Sequence, residues 1–359
     1  MALLASGYRG PPQLTLPRAF TEWTADPAMI ALAVVLLACY LAGVYRVRAA
    51  GGEWKTGPVI AFCGLGVGFL VIATMSWVGV YQNVLFYARA TQTVLLVLLT
   101  PLFLAMGKPL TLFGAVFPRA GARVGKVVHS KVAVALTFPA ITSLLIFMVP
   151  MCMYFTNWYT ATFYSGTARE LTYLALMAPG YLFFWTLLRV DPVPKRYPYG
   201  IAMWITAAEV VGDAFFGIAV IADTNILASS YYHAVGWPFG PSLATDQVLG
   251  GGIIWILGDA VGLPFLAVQL IQMMRADKVE AAAIDAELDA KEAARAARKA
   301  ARAKARAARA AWRAGEDYPT AETADADAGE GDAGEVEGEE EERPWWENDP
   351  RFTERYRNV

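Results

Sequence analysis

Seven stretches of this sequence are apolar over about 20 residues or more, the length at which a helix crosses the hydrocarbon core of a bilayer. Backbone groups inside lipid need hydrogen-bond partners within the protein, so stretches this long indicate helices packed against one another. The sequence therefore predicts an all-α polytopic membrane protein, a bundle of seven transmembrane helices. The predicted spans are residues 28–47, 58–80, 85–113, 131–155, 171–190, 199–222 and 252–274.

Charge divides the chain into an apolar body and a charged tail. Residues 1–274 carry 15 basic and 10 acidic side chains, whereas residues 275–359 carry 15 and 22. An apolar body of this kind excludes an ordinary soluble enzyme, a secreted disulfide scaffold and a fully disordered chain. The predicted segments are an outer N-terminal segment at 1–27, the seven-span membrane domain at 28–275, a cytoplasmic helix rich in Ala, Arg and Lys at 276–314, and an acidic disordered tail at 315–359.

Basic residues in the loops predict the orientation in the membrane. They follow spans one, three and five, and the alternate loops have almost none. Because Lys and Arg are retained on the cytoplasmic side, the N-terminus is predicted outside and the C-terminus in the cytoplasm. The basic loop residues are Arg46, Arg48, Lys55, Lys108, Arg119, Arg123, Lys126, Lys131, Arg189, Lys195 and Arg196.

Ionisable residues in the predicted spans are candidates for function, because a charge in the membrane is costly. Glu209 and Asp213 are four residues apart and share one helix face. The predicted arrangement is a polar cluster that opens toward the outside. Two interpretations stay open, namely ion pairs that fix helix packing and a pathway for a ligand, a proton or a metal. The cluster comprises Arg89, Gln92, Arg169, Glu170, Glu209, Asp213 and Asp259.

Arg89 has a specific predicted partner within this cluster. A lone charge at the bilayer centre costs about 2.5 to 3.5 kcal/mol on insertion scales. The helical rise separates the backbones of Arg89 and Asp213 by roughly 5 to 10 Å in depth, within reach of a long arginine side chain. The sequence therefore predicts an Arg89–Asp213 pair, with Asp259 as the alternative partner.

Metal ligands and catalytic groups are scarce in the spans. His129 and His233 both fall in predicted loops. Met151, Cys152 and Met153 form a soft group suited to cuprous copper, but successive helical residues do not face one point, so apolar packing is the default interpretation. No nucleophile with a neighbouring base is visible. The sequence predicts no catalytic residue, and the chain is not expected to be an enzyme.

The tail suggests membrane and protein contacts. The Ala, Arg and Lys repeats suit a helix near lipid headgroups better than one that binds nucleic acid. Near the C-terminus, Trp345 and Trp346 stand in a charged context. We interpret this pair as a docking motif for a partner; the alternative is a tail that touches the membrane surface.

A set of motifs follows in a fixed order between Leu14 and Lys278. The motifs are Trp23 with Asp26-Pro27, Leu41-Ala42-Gly43-Val44, Pro101 with Gly107-Lys108-Pro109-Leu110-Thr111-Leu112, Gly180-Tyr181-Leu182-Phe183-Phe184-Trp185, Asp191-Pro192-Val193-Pro194, Phe215-Phe216-Gly217-Ile218-Ala219, Gly240-Pro241-Ser242, and Asp246-Gln247 followed by Gly250-Gly251-Gly252-Ile253-Ile254-Trp255. With these motifs the chain resembles the CtaG-type cytochrome c oxidase assembly factor family. The three consecutive glycines are expected either to let the chain turn into span seven or to let helices approach closely.

The resemblance implies a function in the respiratory chain. Members are bacterial seven-span membrane proteins linked to copper delivery to the oxidase, which implies the plasma membrane as the location. The implied partners are the lipid bilayer, cytochrome c oxidase subunits or another assembly factor, with no nucleic acid. Copper is the cofactor that the resemblance implies.

The histidines that the family presents as copper ligands are other residue types here. In span three their places correspond to Arg89 and Thr93, around Gln92. Near span five they correspond to Arg169 and Tyr173. A further one, before the Phe-Phe-Gly motif, corresponds to Asp213.

These replacements change the expected chemistry. Threonine and tyrosine are poor copper ligands, and an arginine would be repelled by the metal. We therefore expect a diverged member that assists oxidase assembly, at the stage of copper-centre biogenesis, without binding copper through the usual histidines. The alternative is a membrane transporter or channel that uses the outer-facing polar cluster.

Overall fold

A computed structural model describes residues 8, 10–195 and 197–313, which form helices and contain no strand. The predicted acidic tail at 315–359, with Trp345 and Trp346, lies outside the described residues. The helices are α1 (Leu16–Thr21), α2 (Pro27–Ala49), α3 (Thr56–Tyr81), α4 (Phe86–Val116), α5 (Pro118–Val128), α6 (Lys131–Leu136), α7 (Pro139–Phe155), α8 (Asn157–Tyr164), α9 (Gly166–Leu188), α10 (Tyr199–Ala222), α11 (Ser229–Val235) and α12 (Leu243–Arg313).

Six of these helices are long and apolar enough to cross a membrane, and α7 with α8 makes a seventh if that bent pair is one span. The chain is thus an all-α polytopic membrane protein, as the sequence predicts. The chain divides into two compact units, Met1–Ala281 and Ala282–Val359. In the second unit the described residues are helical and mostly exposed, and Glu287 pairs with Lys291 one turn later at 3.0 Å.

The fourth predicted span differs most from the structure. Residues 131–155 are divided into α6 and α7, because Pro139 cannot continue a helix from Phe138 and keeps that residue extended. At the other end the chain bends by 71° between α7 and α8. Thr156 forms this corner and accepts a hydrogen bond from the Trp158 N–H through its side chain.

Wide helical turns interrupt α3 and α4. Residues Ile60–Gly66 and Leu95–Leu99 are π-helical. The second lies just before Pro101, which has no N–H to donate and so breaks the regular pattern of hydrogen bonds. The α4 helix breaks again at Gly107 and Lys108, and its last part is Pro109–Val116.

The seventh span begins earlier than predicted. The α12 helix starts at Leu243, so the three glycines at 250–252 lie inside it rather than at a turn into it. The turn interpretation of these glycines is therefore wrong, because the backbone there is already helical.

Candidate functional site

Arg89 is the centre of a buried polar site. It lies one turn inside α4, and only 1% of the residue is exposed. Its Nη1 donates to Gln82 Oε1 at 2.6 Å and to Gln92 Oε1 at 3.1 Å. Its Nη2 donates to Thr162 Oγ1 at 2.7 Å. All these acceptors are neutral, so the guanidinium charge is solvated by dipoles rather than by a carboxylate.

The two glutamines are fixed by further hydrogen bonds. Gln82 Oε1 also accepts from the Tyr173 hydroxyl at 2.8 Å. Gln92 Nε2 donates to the Ala73 carbonyl at 2.8 Å. Each amide therefore turns its oxygen toward Arg89. The site joins α3, α4, α8 and α9, which gives it a clear role in holding the bundle together.

Aromatic rings complete the surroundings of Arg89. The guanidinium carbon lies 5.9 Å from the ring centroids of both Tyr159 and Phe163, a cation–π distance. The Tyr159 hydroxyl shares a 2.7 Å hydrogen bond with that of Tyr232 in α11. Burial raises the pKa of the Tyr232 hydroxyl well above its ordinary value, so this phenol stays neutral.

The predicted pairing of Arg89 with Asp213 or Asp259 is not what the structure shows. Within the described residues Arg89 forms no ion pair with either carboxylate. Asp213 packs against Gly258 instead, and Asp259 Oδ2 accepts from Trp255 Nε1 at 2.8 Å. The prediction failed because neutral side chains accept the hydrogen bonds of the Arg89 guanidinium. Depth along the helices, on which the prediction was based, does not show which side chains face Arg89.

The remaining residues of the predicted cluster lie apart from Arg89. Glu209, on α10, accepts from the Ser143 hydroxyl at 2.5 Å and is 7% exposed. Arg169 and Glu170 are half-buried in the first turns of α9, and Arg169 Nε has no hydrogen-bond partner. Of the seven predicted residues, the structure joins only Arg89 and Gln92 by a hydrogen bond.

Glu209 and Asp213 share a small cavity between α9, α10 and α12. Its volume is about 10 Å³, close to the least that holds one water molecule. Phe183, Phe184 and Phe265 line it. This space holds at most about one water molecule.

Asp246 and Asp191, which the sequence analysis named only as parts of motifs, each cap the N-terminus of a helical segment. Asp246 accepts from the N–H groups of Phe86 at 2.7 Å and Tyr87 at 2.9 Å, and thus caps the start of α4. Asp191 accepts from the N–H groups of Leu110 at 2.8 Å and Thr111 at 2.7 Å, at the start of the last part of α4. A carboxylate at a helix N-terminus is favourable because the free N–H groups and the helix dipole are positive there.

Gln247, next to Asp246, fixes the end of α10. Its Oε1 accepts from the Leu227 N–H at 2.8 Å. Its Nε2 donates to backbone carbonyls that follow α10, including that of Asp223 at 3.0 Å. The signal in the sequence was the Asp-Gln pair itself, two strong hydrogen-bonding side chains just before an apolar stretch.

The glycines of the same motif allow a close helix contact, which confirms the second interpretation given to them. A Cβ on Gly251 would lie 2.8 Å from the Gly217 carbonyl, and one on Gly250 would lie 2.3 Å from the Phe86 ring. A Cβ on Gly252 would have no atom within 4 Å. Glycines 217 and 251 therefore let α10 and α12 touch through their backbones.

The residues that stand where the resemblance implies histidines do not fit cuprous copper. Arg89 brings a fixed positive charge, and the oxygens of Gln82, Gln92 and Thr162 are already directed at it. Thr93 is bonded to the Tyr154 hydroxyl at 2.8 Å. Soft thiolate or thioether donors, which cuprous copper prefers, are not among these residues.

The methionine group does not converge either. Met153 is 0% exposed, while Cys152 is exposed and Met151 is half-buried, so the three side chains face different surroundings. Across the described part of the chain, no three His, Cys, Asp or Glu side chains are grouped as a metal site. The expectation of no metal through these residues stays a prediction.

Comparisons with known proteins fit this architecture. A family model described as the cytochrome c oxidase caa3 assembly factor matches residues 38–276. An uncharacterised protein of Mycobacterium bovis is 30% identical over 292 residues, which is 79% of this chain and 44% of the relative. An uncharacterised protein of Mycobacterium leprae is 29% identical over 292 residues, again 79% of this chain and 44% of the relative. The chain thus spans less than half the length of these curated relatives, and no solved structure matches it.

Proposed function

This chain belongs to the cytochrome c oxidase caa3 assembly factor family, and on that basis we propose that it assists cytochrome c oxidase assembly without holding copper at the Arg89 site. The observation that carries the proposal is the buried guanidinium with three neutral acceptors. A cation fixed in this position opposes the binding of a second cation beside it. The role left to the site is to fix the bundle that an oxidase subunit or another assembly factor would contact.

The proposed role is binding rather than catalysis. The polar groups of the site are satisfied within the fold, and none is positioned as a nucleophile beside a base. A protein of this kind would act at copper-centre biogenesis by holding an intermediate of the oxidase in the bacterial plasma membrane.

The transporter or channel alternative requires a passage to Glu209. The cavity at Glu209 has a volume of only about 10 Å³, and a neighbouring one beside Asp213 has about 20 Å³. Both are lined mainly by aromatic and aliphatic side chains. This geometry gives the alternative no support.

A deletion strain tests the proposed function. Cytochrome c oxidase activity and the copper content of the purified oxidase should both fall, and the full-length gene should restore them. Added copper in the medium should not restore activity, because the missing component is a binding partner and not the metal supply. Normal oxidase activity in the deletion strain, or full rescue by copper alone, would contradict the proposal.

An arginine-to-histidine variant gives a matched test of the copper statement. Arg89→His restores a ligand type but not the ligand set, so this variant should retain no copper either. Arg89→Ala removes the side chain, and Lys291→Ala, on the exposed surface, serves as the control. We expect the purified native protein to retain no copper that depends on Arg89 or its neighbours after loading with cuprous copper and desalting. About one copper per chain, lost in Arg89→Ala and not in Lys291→Ala, would overturn this part of the proposal.

A further inference from the structure

A groove on the membrane domain lies between α2 and the last part of α4. Its volume is about 490 Å³, in the range of ligand pockets. Apolar side chains such as Leu36, Leu112 and Phe113 form its walls, and Arg46 is the one charged residue that lines it. The groove is therefore apolar along its length with a cation at its edge.

The walls of the groove are held in place by specific contacts. The Tyr40 hydroxyl donates to the Gly107 carbonyl at 2.6 Å, and its ring stacks on Phe62 with centroids 4.1 Å apart. A Cβ on Gly43 would lie 3.1 Å from the Leu112 side chain. The groove is thus a formed feature of the helix packing rather than a gap between loosely placed helices.

The charged edge of the groove is made by the end of α2. Arg46 lies in the last turn of α2, is exposed, and places its guanidinium carbon 5.7 Å from the Phe117 ring centroid. Arg48, in the same turn, does not line the groove and donates to the Trp54 carbonyl at 3.0 Å. Arg46 therefore lines the groove and Arg48 does not, so Arg48 can serve as a control for Arg46.

The helix that follows Phe117 adds positive charge. Arg119, Arg123 and Lys126 are spaced by four and three residues and share one face of α5. No residue of α5 is buried, and Val127 is exposed. A short helix with a basic face and no buried residue fits one that lies in the membrane interface.

We propose that the groove binds an anionic phospholipid of the surrounding bilayer, with an acyl chain against its apolar walls and the phosphate at Arg46. The apolar walls match a hydrocarbon chain, and the cation at the edge matches a phosphate. The basic face of α5 adds to the positive potential on the headgroup side. A neutral lipid would fill the walls equally well but would gain less from Arg46.

Cys39 lines the groove and provides the test. In the full-length protein with Cys63 and Cys152 replaced by alanine, an uncharged maleimide should modify Cys39, whose side chain is exposed. The protein is placed in nanodiscs of phosphatidylcholine alone or with phosphatidylglycerol of the same acyl chains. Phosphatidylglycerol should slow the modification about fivefold, the effect of one cation near an anionic headgroup.

Variants at the two arginines separate site binding from general surface attraction. Arg46→Gln should abolish the difference between the two lipids, Arg46→Lys should keep most of it, and Arg48→Gln should keep all of it. Melting temperatures of the variants in phosphatidylcholine show that each is folded. A protein whose only cysteine is Cys152, which lies outside the groove, should react equally in both lipids.

Three outcomes would overturn the proposal. Equal modification rates of native Cys39 in both lipids would mean that no headgroup is recognised. Loss of the difference in Arg48→Gln as well as Arg46→Gln would mean unspecific attraction to the surface. Protection that depends on protein concentration and not on lipid would assign the groove to a second copy of the chain.

Discussion

At the scale of single residues, Arg89 shows how a charge can be buried without an opposite charge. A lone charge in the bilayer core is costly, which is why the sequence predicts a carboxylate partner for Arg89. The structure instead surrounds Arg89 with two amide oxygens, a hydroxyl and two aromatic faces. These partial charges stabilise the guanidinium in a fixed geometry, and they tie four helices to one side chain.

A double-mutant cycle tests this description. Arg89→Ala and Gln82→Ala should each reduce the free energy of unfolding by about 1 to 3 kcal/mol, because each leaves buried polar groups unpaired. The double variant should lose less than the sum, by about 0.5 to 3 kcal/mol. Thermal unfolding in detergent gives the stability of the native protein, the two single variants and the double variant.

The matched cycle uses Asp213, which does not contact Arg89. Arg89→Ala combined with Asp213→Ala should be additive within about 0.5 kcal/mol. A coupling between Arg89 and Asp213 as large as that with Gln82 would restore the ion-pair interpretation.

At the scale of helices, the motifs of the sequence act at helix ends and helix contacts. Asp246 and Asp191 each cap a helical N-terminus in α4 from a distant part of the chain. Gly217 and Gly251 bring α10 and α12 into backbone contact. Small residues at such contacts let van der Waals packing hold transmembrane helices together, since lipid gives no hydrophobic force between them.

Glycine substitutions test the α10 and α12 contact. A Cβ on Gly217 would lie 2.6 Å from the Gly251 carbonyl, so Gly217→Val must push the helices apart. We expect a loss of about 1 to 3 kcal/mol in the free energy of unfolding. Gly252→Ala is the control, since nothing lies near its position and alanine favours a helix by about 0.5 to 1 kcal/mol. Similar losses for both variants would show that the contact is not as tight as described.

At the scale of the whole molecule, the basic loops predict which side of the membrane each loop occupies. Successive spans place successive loops on opposite sides of the membrane. The helix α5, which carries Lys and Arg residues, lies in a loop that the rule assigns to the cytoplasmic side. The orientation of the N-terminus outside and the C-terminus in the cytoplasm stays a prediction from the positive-inside rule.

Single cysteines in a background without Cys39, Cys63 and Cys152 test the orientation. Cysteines at Ser165 or Ser230 should react with a membrane-impermeant thiol reagent in intact cells. A cysteine at Gly125, in the basic helix α5, has room for its side chain and should react only after the cells are opened. The reverse pattern would mean that the protein is inserted the other way round.

The sequence by itself determined the class of fold and most of its spans. Apolar stretches of membrane length can satisfy their backbone groups only as helices, so the helical bundle followed from composition and length. Span six was predicted with the bounds that the structure shows, Tyr199–Ala222, because Pro198 stands before its first residue and Asp223 follows its last.

Only the tertiary structure decided which side chains meet. The 71° corner at Thr156, which turns α8 away from α7, leaves no trace in hydropathy. Arg89 bonds to Gln82 and Thr162, which lie outside the predicted spans, and these contacts depend on the rotation of each helix about its own axis. Hydropathy fixes the length of a helix in a membrane, but packing fixes its rotation, because lipid contacts apolar faces equally well on all sides.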